Sequence, residues 1–261
     1  MKTIFALTLA ALALAMPNIT AAAADNAAAK DSRVYEMRVY WAAPGKLDAL
    51  NARFRDHTVK LFEKHGITNV GYFLPIDNKE QKLVYFLSYP DRAARAASWK
   101  AFQADPAWQK AQKASEVNGK LISKVTSVFL TTTDYSPALK IEAPGQRVFE
   151  LRTYIATPNN LPLLNGRFRE HTMMLFEKYG MTNLIYWNYM ADQPNADKML
   201  VYLLAHKSKE AGLASFDAFR KDADWLKARA ASEEKGGGSL TAKENGVQSE
   251  YMLPTDYSPL K

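Results

Sequence analysis

Asn51 to Asn69 reads NARFRDHTVKLFEKHGITN, and Asn165 to Asn183 reads NGRFREHTMMLFEKYGMTN. The second stretch follows the first by 114 positions, and 13 of its 19 residues are identical. The likeness extends outward in both directions. VYEMRVY from Val34 matches VFELRTY from Val148, and TDYSP occurs at Thr133 and again at Thr255. A repeat of this length is a whole small domain rather than a solenoid unit. The chain of 261 residues is therefore divided into two copies, each large enough to bury a core.

Each copy reads in the same order. Val34 to Tyr40 alternates, with Tyr35, Met37 and Val39 on one face and Glu36, Arg38 and Tyr40 on the other, which is strand periodicity. Leu47, Leu50, Phe54, His57, Thr58, Leu61 and Phe62 then recur on one helical stripe. Gly66 and Gly180 are placed to stop that helix in the left-handed conformation, and Asn160 is a candidate N-cap in the second copy. Two apolar runs around a polar loop predict a hairpin, the loop being Asp77 to Gln81 in one copy and Ala191 to Lys198 in the other. Asp91 and Ser208 are N-caps of a second helix, which Asp105-Pro106 should interrupt. A last strand completes each copy. The order strand, helix, strand, strand, helix, strand predicts an α+β fold of two tandem ferredoxin-like (βαββαβ) domains, residues 33–135 and 147–257, joined by a linker over 136–146. A lone copy leaves one apolar sheet face bare. The two copies are expected to cover each other there, with Met37 and Leu151 on the inner face.

Composition narrows the function classes. The net charge is +7 and the pI about 9.3, but acidic and basic residues are interleaved and no groove-reading motif is present, so no nucleic-acid partner is expected. There is no cysteine, which excludes disulfides and thiolate chemistry. Lys2, an apolar run from Ile4 to Met16 and the small residues Ala22 to Ala24 read as a secretory signal peptide over 1–24, cleaved before Asp25. That places the mature chain in a periplasm or outside the cell, with no stable membrane anchor after processing. No metal site is expected. His57 and His65 are too far apart on a helix, about 12 Å at 1.5 Å per residue, and no zinc motif occurs.

The openings YEMRVY and FELRTY, the helix ends LFEKHG and LFEKYG, the following TNVGYF and TNLIYW, and the TDYSP closures resemble the NIPSNAP family of the dimeric α/β-barrel superfamily. The resemblance covers nearly all of the chain after the leader. It implies that the two halves form one barrel as an intramolecular dimer. Within the superfamily it points toward cofactor-independent monooxygenases, isomerases and cyclases, and toward heme-degrading enzymes. Heme-degrading relatives carry an axial histidine on the second helix. The matching stretches here, WQKAQK from Trp108 and WLKARA from Trp225, contain none, so no cofactor is expected.

The candidate site residues follow from the faces. His57 and His171 lie on the apolar stripe of the first helix of each copy and are expected to be buried against the sheet, as candidate catalytic bases. Glu36, Arg38 and Tyr40, with Glu150, Arg152 and Tyr154, share the polar strand face and join them as candidate ligand-binding residues. The same cluster also reads as a buried polar network that merely satisfies the fold. The favoured expectation is a secreted small-molecule-binding or interaction module with one helix–sheet cleft per half, taking a small hydrophobic ligand, with a homo-oligomer or protein partner left open. The alternatives are a cofactor-independent monooxygenase, isomerase or cyclase, and a purely structural assembly protein.

Overall fold

The computed structural model describes residues 31–261, so the leader and its cleavage site lie outside the described residues. The first half runs β1 (Val34–Ala42), α1 (Leu47–Arg53), a π-helical turn (Phe54–Thr58), α2 (Val59–Lys64), β2 (Thr68–Pro75), β3 (Lys82–Tyr89), α3 (Arg92–Ala104), α4 (Pro106–Ser115) and β4 (Ile122–Thr132). The second half repeats it: β5 (Val148–Ile155), α5 (Leu161–Arg167), a π turn (Phe168–Thr172), α6 (Met173–Lys178), β6 (Thr182–Tyr189), β7 (Met199–His206), α7 (Lys209–Lys221), α8 (Ala223–Lys235) and β8 (Val247–Pro254). Among the described residues no helix is long and apolar enough to cross a membrane.

The punctuation acts largely where the sequence places it. Asp91 accepts from the Ala94 amide and Ser208 from the Ala211 amide, each capping its helix. Asp105 accepts from the Ala107 amide and begins a new helix at Pro106. Gly66 and Gly180 end their helices at φ 73° and 77°. Asn160 differs: its side chain makes no cap bond and instead donates to Thr157 Oγ1 and to the Gly236 carbonyl.

All eight strands close into one barrel in the order β1-β3-β2-β8-β5-β7-β6-β4. The halves join through their edges. β2 pairs β8 from Phe73↔Pro254 to Pro75↔Met252, and β4 pairs β6 from Leu130↔Tyr189 to Thr132↔Trp187. Closure at these two seams is short, three residue pairs at each. It also sets three cores. The barrel interior holds Tyr35, Phe73, Phe86, Phe149, Trp187 and Leu203, with Leu151 buried and Met37 packed against it, as strand alternation requires. Outside the barrel, each half has its own helix-on-sheet core, centred on Phe54, Tyr72, Tyr85 and Phe102 in the first and on Phe168, Tyr186, Tyr202 and Phe219 in the second.

The TDYSP segments are exchanged between halves. Thr133 donates to the Tyr186 carbonyl, the Tyr186 amide donates to Ser136 Oγ, and Tyr135 donates to Asn165 Oδ1 at 2.7 Å. Reciprocally, Thr255 donates to the Tyr72 carbonyl, Tyr72 donates to Ser258 Oγ, and Tyr257 donates to Asn51 Oδ1 at 2.6 Å. Arg169 pairs with Asp134 and Arg55 with Asp256 beside them. Each hook satisfies the backbone of a strand residue in the opposite half, just before the short inter-half ladder begins.

Candidate functional site: twin helix–sheet clefts

Site geometry starts on the outward face of β1 and β5. Glu36 is fully buried and accepts from Arg38 at 2.5 Å, Ser127 at 2.6 Å, Tyr89 at 2.9 Å and Arg95 through two nitrogens at 2.8 and 3.0 Å. Burial by itself would raise its pKa. The Arg95 hydrogen bonds, the Arg38 charge and the Ser127 hydroxyl outweigh it and hold the carboxyl down at about 2. Arg38 also donates to the Tyr85 and Tyr40 hydroxyls and lies 4.4 Å over the Trp99 ring.

The second half repeats this with changed parts. Glu150 accepts from Arg152 at 2.5 Å, Ser249 at 2.5 Å and the His206 ring at 2.8 Å. Burial opposes ionisation here too, and the His206 hydrogen bond, the Arg152 charge and Ser249 lower the pKa below the ordinary glutamate value. Arg152 donates to the Tyr202 and Tyr154 hydroxyls and packs over Phe216 at 4.1 Å. The second-half counterpart of Arg95 is Gly212. A side chain there would collide with Tyr251, 2.9 Å from where a Cβ would stand.

Above each network a cavity opens between the first helix and the second helix pair. The first is about 370 Å³ and is lined by Arg38, Tyr40, Arg53, Phe54, Trp99 and Trp108 among others. The second is about 280 Å³ and is lined by Arg152, Tyr154, Arg167, Phe168, Phe216 and Trp225 among others. Four of the expected residues, Arg38, Tyr40, Arg152 and Tyr154, thus face the clefts. Glu36 and Glu150 lie beneath them and hold the arginines in place.

His57 and His171 are not there. Both are exposed on the outer side of the first helix, and His171 borders a separate groove between α5 and α8. The π turn is the physical reason. Val59 donates to the Phe54 carbonyl and Met173 to the Phe168 carbonyl, so each turn holds one residue more than an α-helical turn. A stripe extrapolated at 3.6 residues fails across such a turn. The inward-facing residues where it begins are Arg53 and Phe54, and the next is Thr58 rather than His57. Thr58 Oγ1 donates to the Arg53 carbonyl and Thr172 Oγ1 to the Arg167 carbonyl, each accepting group lying five residues back.

Arg53 and Arg167 are the functional candidates that sequence reasoning missed. Their side chains are only 3% and 6% exposed. Each guanidinium lies over a tryptophan, Trp108 at 5.3 Å and Trp225 at 5.0 Å. In both, the buried Nε has no acceptor among the described residues. Their identity in the two copies was the available signal, but an arginine on a helix normally reads as a solvated residue. Asn69 and Asn183 also tie the sheet to the first helix. Each donates across to the first helix, at the Val59 and Met173 carbonyls, and accepts from a tyrosine three residues on. The bulges at Asn69/Gly71 and Asn183/Ile185 put residues three apart on one face.

Comparison with known proteins agrees with the fold. The NIPSNAP family model matches residues 35–137. The match spans the first half. A NIPSNAP domain protein of unknown role from Burkholderia xenovorans is 24% identical over 40% of this chain and 99% of its own, with a TM-score of 0.36. Across both halves, a proposed monooxygenase from Fusobacterium nucleatum superposes with a TM-score of 0.56 at 10% identity, covering 85% of this chain and 92% of its own. An anthrone oxidase-like protein gives 0.55 at 11% identity, covering 88% and 95%. At such identities the likeness is one of fold alone. No protein of curated function matches the chain in sequence.

Proposed function

We propose that this protein binds a small, ring-containing molecule in the helix–sheet cleft of each half. The observation that carries this reading is the recurrence of one cavity in both halves, built on equivalent residues: Arg38 and Arg152, Arg53 and Arg167, Phe54 and Phe168, Trp108 and Trp225. Cavities near 300 Å³ lined by rings and a few fixed polar groups suit small organic ligands. The aromatic walls supply contact area, and the buried arginines supply orientation. A purely structural protein would be expected to fill both clefts with its own side chains. The monooxygenase, isomerase or cyclase reading is supported by fold likeness alone, which says little of chemistry.

The leader motif supports a periplasmic or secreted setting, and N-terminal sequencing of protein from its host should begin near Asp25. The binding reading is tested by titrating purified protein with benzyl alcohol, following tryptophan fluorescence and heat. Saturable quenching is expected, with Trp108→Phe and Trp225→Phe each removing the contribution of one cleft. A strictly linear, unsaturable response that neither variant alters overturns it.

A further inference from the structure

The two clefts are equivalent in position and different in charge. In the first, Glu116 accepts from Arg53 at 2.9 Å, so the buried guanidinium has a built-in counterion. In the second, the matching Glu233 stands 4.0 Å from Arg167. It is drawn away by Arg229, which donates to it at 3.0 Å. The first-half residue in the place of Arg229 is Gln112, and the first-half residue in the place of Arg220 is Gln103. Two neutral amides on the first rim are thus two cations on the second. The lip changes in the same sense. Ile122, paired with Ala42 in the first half, corresponds to Thr241, bridged to Ala156 in the second.

Arg167 is consequently a buried cation without a carboxylate at hydrogen-bonding distance and with an unsatisfied Nε. Burial pushes its guanidinium below the ordinary arginine value, the penalty of an under-compensated charge. Such a group calls for an anion. Phe168, Phe216 and Trp225 line the same cavity and supply apolar contact area for a ring.

Building on the binding reading above, we propose that the second cleft is a selective site for a small aromatic oxyanion, a carboxylate or phosphate ester on one ring. The oxyanion accepts from Arg167, and Arg229 and Arg220 guard the entrance. The first cleft, neutralised by Glu116, takes uncharged rings. One ancestral pocket has become two of different selectivity.

The test uses the full mature chain and three probes: benzoate, phenyl phosphate and the neutral benzyl alcohol, in calorimetry at low salt. Benzoate or phenyl phosphate should bind at one site per chain, and whichever binds more tightly identifies the preferred oxyanion. Arg229→Gln, an exposed change that recreates the first-half residue, returns Glu233 to Arg167. It should weaken anion binding about tenfold or more, the size of a charge-assisted bond, and leave benzyl alcohol binding at the first cleft unchanged. Gln112→Arg in the first half should add a second anion site. Anion affinity unchanged by Arg229→Gln, or two equal anion sites in the wild type, overturns the proposal while the binding reading stands. If neither the anions nor benzyl alcohol saturate, both fall together.

Discussion

Replacing Glu36 by glutamine should be among the most destabilising single-atom changes in this molecule. The carboxylate is completely buried and is the shared acceptor for Arg38, Arg95, Tyr89 and Ser127. Glutamine keeps the shape and one acceptor oxygen but removes the charge that two arginines face. Removing one partner of a buried ion pair costs about 3–5 kcal/mol. Arg38 keeps its tyrosine hydroxyls and the Trp99 face, and Arg95 is a quarter exposed and recovers water, which favours the lower end. The lowered titration of Glu36 corresponds to a similar size. A carboxyl lowered from 4.5 to about 2 stabilises the fold above its unfolded pKa. That stabilisation, about 3 kcal/mol, is lost as pH falls from near 4.5 through 2. In thermal unfolding at pH 7 by circular dichroism, 3 kcal/mol corresponds to a fall in Tm of roughly 6–12 °C. Glu150→Gln confronts one arginine instead of two and should cost less. A Glu36→Gln protein melting within 2 °C of the wild type, or one less affected than Glu150→Gln, would refute this account of the network.

Other changes have sharper local outcomes. Wild-type Tm should decline between about pH 4.5 and 2 more steeply than that of Glu36→Gln, since the variant lacks the depressed carboxyl; parallel curves in a pH series would contradict this. Tyr257→Phe and Tyr135→Phe each remove one hydroxyl bond between the halves, to Asn51 and Asn165, and each should cost about 1 kcal/mol in urea unfolding. Thr58→Val leaves the Arg53 carbonyl without its hydroxyl donor and should cost about 1–2 kcal/mol by the same assay, whereas an unchanged midpoint would mean the hydroxyl is dispensable to the π turn. His57→Ala and His171→Ala alter exposed positions and should leave stability within about 0.5 kcal/mol and benzyl alcohol affinity unchanged.

The parts of this structure legible in the sequence are those encoded by local periodicity and caps. Alternation in VYEMRVY correctly divides Met37 from Arg38, and Asp105-Pro106 marks a helix break through chemistry confined to two residues. The histidines illustrate the opposite case. Their placement rested on an unbroken 3.6-residue stripe, and a single extra residue per turn rotates them to the surface. That residue leaves no compositional trace, except in retrospect the threonine five positions after Arg53 and Arg167. Arg53 was hidden because its burial depends on Trp108 and Glu116, which come from a helix more than fifty residues away. The repeated TDYSP announced the end of a unit but not its destination. In a two-fold arrangement, a contact within a copy and the same contact between copies produce identical sequence patterns.

The exchanged hooks make the two halves equivalent to subunits that hold each other by the tail, yet one polypeptide carries both. In an assembly of two identical chains, any substitution at a cleft appears twice, so gaining an arginine at one rim means gaining it at the other and losing the original pocket. Covalent tandem fusion separates those fates: the reciprocal fastening preserves the shape of the pair while each half accumulates changes on its own. Gln112 facing one opening and Arg229 facing its counterpart are what that freedom looks like in residues.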